Sequence, residues 1–81
     1  MDREEIEKHI TTNPQIYRGK PIIRGTRVPV YLIVGFLELG QTPEEIVDDY
    51  PDLTVEDVRA AAAYDKFIRE NTEIFPLSKS A

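Results

Sequence analysis

Arg18, Lys20, Arg24, Thr26 and Arg27 fall within ten consecutive residues of this 81-residue chain, and no acidic residue stands among them. Guanidinium, ammonium and hydroxyl groups are the side chains that hold phosphate oxygens, and such contacts supply most of the affinity of proteins for nucleic acid. The heart of the stretch, GKPIIRGTRVPV at residues 19–30, also carries two glycines and two prolines. The cationic groups therefore ride on a stiff, turn-rich segment, and the chemistry expected of it is anion binding. A structural use of the same residues competes with this one. Arg24 and Arg27 can pair with Asp48, Asp49 or Asp57, and Gly25-Thr26 can be the turn that aims the next element. Exposed pairs of that kind contribute under about 1 kcal/mol each.

Catalysis finds few parts. GKPIIRGT lacks the G-x-x-x-x-G-K-[ST] order of a phosphate loop, because Pro21 follows Lys20. His9 is the single histidine, in a segment expected to fray, and there is no cysteine. A metal site or a nucleophile–base pair has no visible components. Asp48 and Asp49 are adjacent in sequence, and on a helix adjacent side chains point apart. No catalytic residue, metal ligand or cofactor is assigned, and the chain is expected not to be an enzyme.

Charge is divided along the chain. Residues 1–7 sum to −3, residues 8–37 hold five basic residues and no acid, and residues 38–81 sum to −7, within a net charge of −5. A stretch of that length without Asp or Glu marks a localised anion-facing patch. At this size one domain is expected, with a core small enough to lean on a partner. The absence of cysteine, the acidic start MDREEIEKHI, and a longest apolar run (residues 28–37) broken by Pro29 and Gly35 point to a cytoplasmic protein without a signal peptide or membrane span.

The elements that must carry the basic stretch are mostly helical. A short helix is expected over residues 3–9, ended by TTNP. Ile16-Tyr17 and Ile22-Ile23 flank RGKP and are expected to pair as a small hairpin or β-arm around Gly19, with Pro21 restricting it to edge pairing. A helix follows over residues 29–39, with Pro29 in its first turn and Gly40 just past its end. It is apolar almost all round, so it must be covered on more than one side. The second cover is expected to be another copy of the chain, giving a homodimer through this helix or through the alanines at 60–63. QTPEEIVDDYP gives a two-turn helix with Thr42 as cap, Pro43 at its first position and Glu45 closing a capping box; Pro51 ends it. LTVED starts the last helix, with Thr54 as cap and Asp57 three residues on. Two helices joined by a short turn have the shape of a helix-turn-helix.

NPQIYRGKPIIRGTRVPVYLIVGFLELGQTPEEIVDDYPDLTVEDVRAAAAY, residues 13–64, resembles the domain-of-unknown-function 433 family, most specifically in GKPIIRGTRVPV, LGQTPEEI and YPDLTVEDV. The resemblance implies a homeodomain-like three-helix domain with a helix-turn-helix, preceded by a short β-hairpin arm. It also implies a small bacterial or archaeal protein, often encoded beside a PIN-like nuclease toxin, and hence an antitoxin. The family pattern has a small residue or Gly where this chain has Arg18, so the tip here is more basic.

The expectation is then a helical extension over residues 1–12, a mostly α domain over 13–71, and a flexible tail over 72–81. The function expected is the antitoxin half of a type II toxin–antitoxin pair, neutralising a PIN-like nuclease and contacting operator DNA. Arg18, Lys20, Arg24, Thr26, Arg27 and Arg59 are the candidate DNA contacts; Arg69, Phe75, Leu77 and Lys79 are the candidate toxin contacts. Glu56 and Asp57 stand where a reading helix would meet phosphates, so backbone or minor-groove contact by the arm is favoured over base reading. A stand-alone DNA-binding regulator and a pure protein-interaction module are the alternatives.

Overall fold

Asp2 sets the first helix, α1 (Arg3–His9): its carboxylate accepts from the Glu5 amide at 2.9 Å, with acids in the first turn and Lys8 and His9 in the last. Both ends suit the helix dipole. The computed structural model describes residues 1–71, and in it α1 is a formed helix. Ile6 is 2% exposed and joins the core, packed towards the long last helix, α4 (Val55–Glu70).

The strand pairing differs from the expected hairpin. β1 (Ile10–Thr11) pairs antiparallel with β2 (Ile22–Ile23), Ile10 opposite Ile23 and Thr11 opposite Ile22. Ile16 and Tyr17 take no part. The reason lies in the backbone between them. The Asn13 carboxamide oxygen accepts from the Gln15 amide, and the Ile16 amide donates to the Asn13 carbonyl. A 3₁₀ turn over Tyr17–Gly19 then follows, in which Tyr17, Arg18 and Gly19 all have positive φ (48°, 55° and 81°). Three left-handed residues in a row coil the chain and exclude an extended strand. Tyr17 and Arg18 hold this conformation at a cost of about 1–3 kcal/mol each, sustained by the surrounding bonds.

β2 is not an edge either. On its other flank Ile22 bridges to Pro29, the Ile23 amide donates to the Val28 carbonyl at 2.9 Å, and the Val30 amide donates to the Pro21 carbonyl at 3.0 Å. Pro21 contributes its acceptor here, so its missing N–H costs nothing.

Three helices follow in order. α2 (Val30–Glu38) starts one residue later than expected, so Pro29 is its N-cap residue, with no side-chain capping bond, and not part of its first turn; its end is closed by Gly40 at φ 95°. The Gly40 amide donates to the Leu37 carbonyl and the Gln41 amide to the Phe36 carbonyl, the double bond pattern of a left-handed helix stop. α3 (Pro43–Asp49) and α4 each carry a complete capping box, Thr42 with Glu45 and Thr54 with Asp57, as the sequence predicts. α4 is the hub: α1, α2, α3 and β1 all pack on it. Ile10, Ile23, Ile33, Ile46, Val58, Ala60 and Ala61 are fully buried around it. The predicted alanine surface is thus partly consumed inside the chain, Ala60 and Ala61 letting neighbouring elements approach the α4 backbone closely.

α2 is covered on most of its circumference, with Val34, Phe36 and Leu37 half-buried against the core. Val30 and Ile33 are buried, whereas Tyr31 is 58% exposed and Leu39 83% exposed. Among the described residues no helix is long and apolar enough to cross a membrane. The architecture is mostly α, with four helices and a two-stranded ladder.

Candidate nucleic-acid interface

The basic residues divide into two groups by what holds them. Outside the central stretch each described Lys or Arg has a carboxylate partner: Arg3 with Glu7, Lys8 with Glu5, Arg59 with Glu56, Lys66 with Glu70, and Arg69 with both Asp65 and Glu38. Within it, Arg18, Lys20, Arg24 and Arg27 make no ion pair with any carboxylate among the described residues. The structural alternative, pairing of Arg24 and Arg27 with Asp48, Asp49 or Asp57, is not found there. Four exposed cations without a carboxylate partner thus stand on one short segment of an acidic protein.

The fold gives the five candidates of this segment different settings. Arg18 is exposed on the left-handed turn. The Lys20 ammonium lies 5.4 Å from the centre of the Tyr31 ring, in cation–π range. These two residues line one shallow groove with Tyr17 and Tyr31. Arg24 is anchored elsewhere: its Nη2 donates to the Glu7 carbonyl at 2.9 Å, capping the end of α1, while its backbone amide donates to the His9 carbonyl. Thr26 is a turn residue, its hydroxyl donating to the Ile23 carbonyl and accepting from the Val28 amide. Arg27 is exposed just beyond that turn. Gly25, at φ 81°, provides the left-handed position that the turn requires.

Arg59 belongs to a different setting, the second turn of α4, where its guanidinium sits 3.1 Å from Glu56. Among the candidate toxin contacts, Arg69 is likewise engaged, 2.7 Å from Asp65 and 3.4 Å from Glu38. The hydrogen bond to Asp65, reinforced by both negative charges, raises its pKa. Phe75, Leu77 and Lys79 lie outside the described residues.

Sequence reasoning missed one polar contact. His9 Nδ1 is 2.7 Å from Asp57 Oδ1, with both side chains mostly shielded (23% and 15% exposed). Asp57 Oδ2 meanwhile accepts from the Thr54 amide, completing the cap of α4. One carboxylate thus starts α4 and ties α1 to it, and Arg24 is fixed at the same junction. The capping spacing reveals Asp57; nothing local reveals a partner 48 residues away. Among the described residues no three His, Cys, Asp or Glu side chains gather as a metal site.

Comparison with known proteins places this geometry in context. Residues 10–64 match the family model described as "Protein of unknown function (DUF433)", a span that includes the whole basic stretch. A curated relative, "Uncharacterized protein y4eO" of Sinorhizobium fredii (strain NBRC 101917 / NGR234), is 38% identical over 55 residues, covering 68% of this chain and 25% of that protein. The chain therefore spans about a quarter of that relative's length. The crystal structure of a DUF433 member protein from Anabaena variabilis ATCC 29413 is similar with a TM-score of 0.71 at 33% identity, covering 83% of this chain and 66% of the other.

Proposed function

Since the chain belongs to the DUF433 family, whose description assigns no function, we propose that it is a nucleic-acid-binding antitoxin of a type II pair, the binding read from its own geometry and the antitoxin role from what the family resemblance implies. One observation carries the nucleic-acid half of this reading. Every described Lys or Arg outside residues 18–27 has a carboxylate partner, and the four inside have none. In an acidic chain, leaving these four without a carboxylate keeps their charge available to an external polyanion. The short connection between the capped α3 and α4, residues 50–54, supports reading these helices as a homeodomain-like helix-turn-helix. The acids at the start of α4 favour phosphate contact by the basic segment over base reading by that helix. The acidic C-terminal half is then the side that meets a PIN-like nuclease, as the family resemblance implies.

The test is a salt titration of binding to the protein's own promoter duplex. The logarithm of affinity should fall with the logarithm of salt by about 0.9 per phosphate contact. Replacing Lys20 or Arg27 with Ala should weaken binding across sequences and reduce that slope by about one each. Arg24→Ala is the poorer probe, because it also uncaps α1. An unchanged slope in a Lys20→Ala/Arg27→Ala variant overturns the operator half. Failure to co-purify with the neighbouring gene product overturns the antitoxin half.

A further inference from the structure

Tyr17, Arg18, Lys20 and Tyr31 meet at one shallow groove, and duplex phosphates account for only half of what is there. Arg18 and Lys20 call for an anion. Tyr17 and Tyr31, 49% and 58% exposed, present aromatic surface that gains from a flat apolar cover. The turn that carries Tyr17 and Arg18 is held in left-handed backbone by the Gly19–Ile16 and Lys20–Tyr17 bonds, so both side chains start from a fixed base. Strained, exposed residues of this kind gather at ligand sites.

Lys20 and Tyr31 also line a second groove of about 300 Å³, with Pro21, Val30, Tyr64 and Ile68 among its walls. Asp65, the acid on that wall, is bound by Arg69.

We propose that this groove binds single-stranded nucleic acid, with an unpaired base stacked on tyrosine and the adjoining phosphates on Arg18 and Lys20. A ligand that alternates flat π faces with anionic links matches two aromatics interleaved with two cations, and stacking of this kind tolerates any base. A duplex cannot supply the face, since its bases are already stacked on one another. The inference rests on the reading that residues 18–27 face nucleic acid, and it assigns the Arg18 end of that segment to unpaired strands. Lys20 leaves the Tyr31 ring for phosphate as the base arrives, exchanging one cation contact for another.

The experiment is fluorescence anisotropy with labelled ten-nucleotide oligo(dT) and oligo(U), beside the promoter duplex, on the full chain. Tyr31→Ala and Tyr17→Ala should each weaken single-strand binding roughly five- to a hundredfold and leave duplex affinity unchanged. Tyr31→Phe should retain single-strand binding to within about twofold, because the ring and not the hydroxyl does the stacking. Preference for oligo(U) assigns the natural ligand to RNA through its 2′-hydroxyls, and equal or better oligo(dT) binding assigns it to exposed DNA strands. Duplex binding without single-strand binding overturns this inference alone, as does unchanged single-strand affinity in both alanine variants. Loss of duplex affinity in the same variants also overturns it, since the tyrosines would then serve the general fold. Binding to none of the three probes overturns the nucleic-acid reading as a whole.

Discussion

Asp57 makes two hydrogen bonds within one turn of chain and a third across the fold: its amide donates to Thr54 Oγ1, one carboxylate oxygen accepts from the Thr54 amide, and the other meets His9. Removing His9 leaves the cap intact and cuts only the tie between α1 and α4. His9→Ala should therefore cost about 1–2 kcal/mol, read as a lower urea midpoint with an unchanged slope. Asp57→Ala should cost more, and a double-mutant cycle should return a coupling energy for the pair. If the two losses simply add, the contact contributes nothing. Arg18 offers the opposite case. At φ 55° it holds a conformation that glycine adopts freely, so Arg18→Gly should raise stability by up to about 1 kcal/mol while weakening anion binding. A lower thermal midpoint would refute this. The two residues also show where sequence legibility ends at this scale. The types and clustering of Arg18, Lys20, Arg24 and Arg27 were visible, since chemistry needs only side-chain identity. Which of them stay unpaired was not visible, because pairing depends on neighbours that the fold brings from elsewhere.

Helices whose ends are written within four residues were the most legible elements. Thr42 with Glu45 and Thr54 with Asp57 close reciprocal bonds in the structure, and both boxes follow from spacing alone. Thr42→Ala and Thr54→Ala should each lower stability by about 1 kcal/mol, measurable by chemical denaturation. The two losses should be similar, because Thr54→Ala keeps the backbone amide that holds the Asp57 carboxylate and with it the His9 contact; a much larger loss at Thr54 would refute this. The β-ladder was legible in part. Ile22-Ile23 reads correctly as a strand, but its partner does not, because Ile16-Tyr17 and Ile10-Thr11 both offer apolar residues at plausible loop lengths. The decision falls to the positive φ angles of Tyr17 and Arg18 and to burial: Ile10 is fully buried and Tyr17 half-exposed. Neither is a local property of the sequence.

At the scale of the molecule, two apolar side chains at the ends of α2 stay outside the core. Val30 and Ile33 face the core, while Tyr31 and Leu39 are left in solvent. A second copy meeting the Leu39 end of α2 through a two-fold axis would cover that residue and leave the Tyr31 groove open, and sedimentation at tens of micromolar should show a dimer that Leu39→Glu dissociates. A wild-type monomer under those conditions would remove the idea. The mostly helical class was legible from periodicity, whereas the central place of α4 was not, since Ala60 and Ala61 look as suited to an outer contact as to an inner one. The double flanking of β2 reaches further, into colloidal behaviour. Ile22 and Ile23 form an apolar pair whose backbone would recruit any extended segment that met it, as bare sheet edges do. Here β1 closes one flank and residues 28–30 the other. The N-terminal arm is thus a sheath over an adhesive strip. Peeling residues 1–11 away while α2, α3 and α4 stay folded would bare one flank of β2, and the protein would lose solubility before it lost helix.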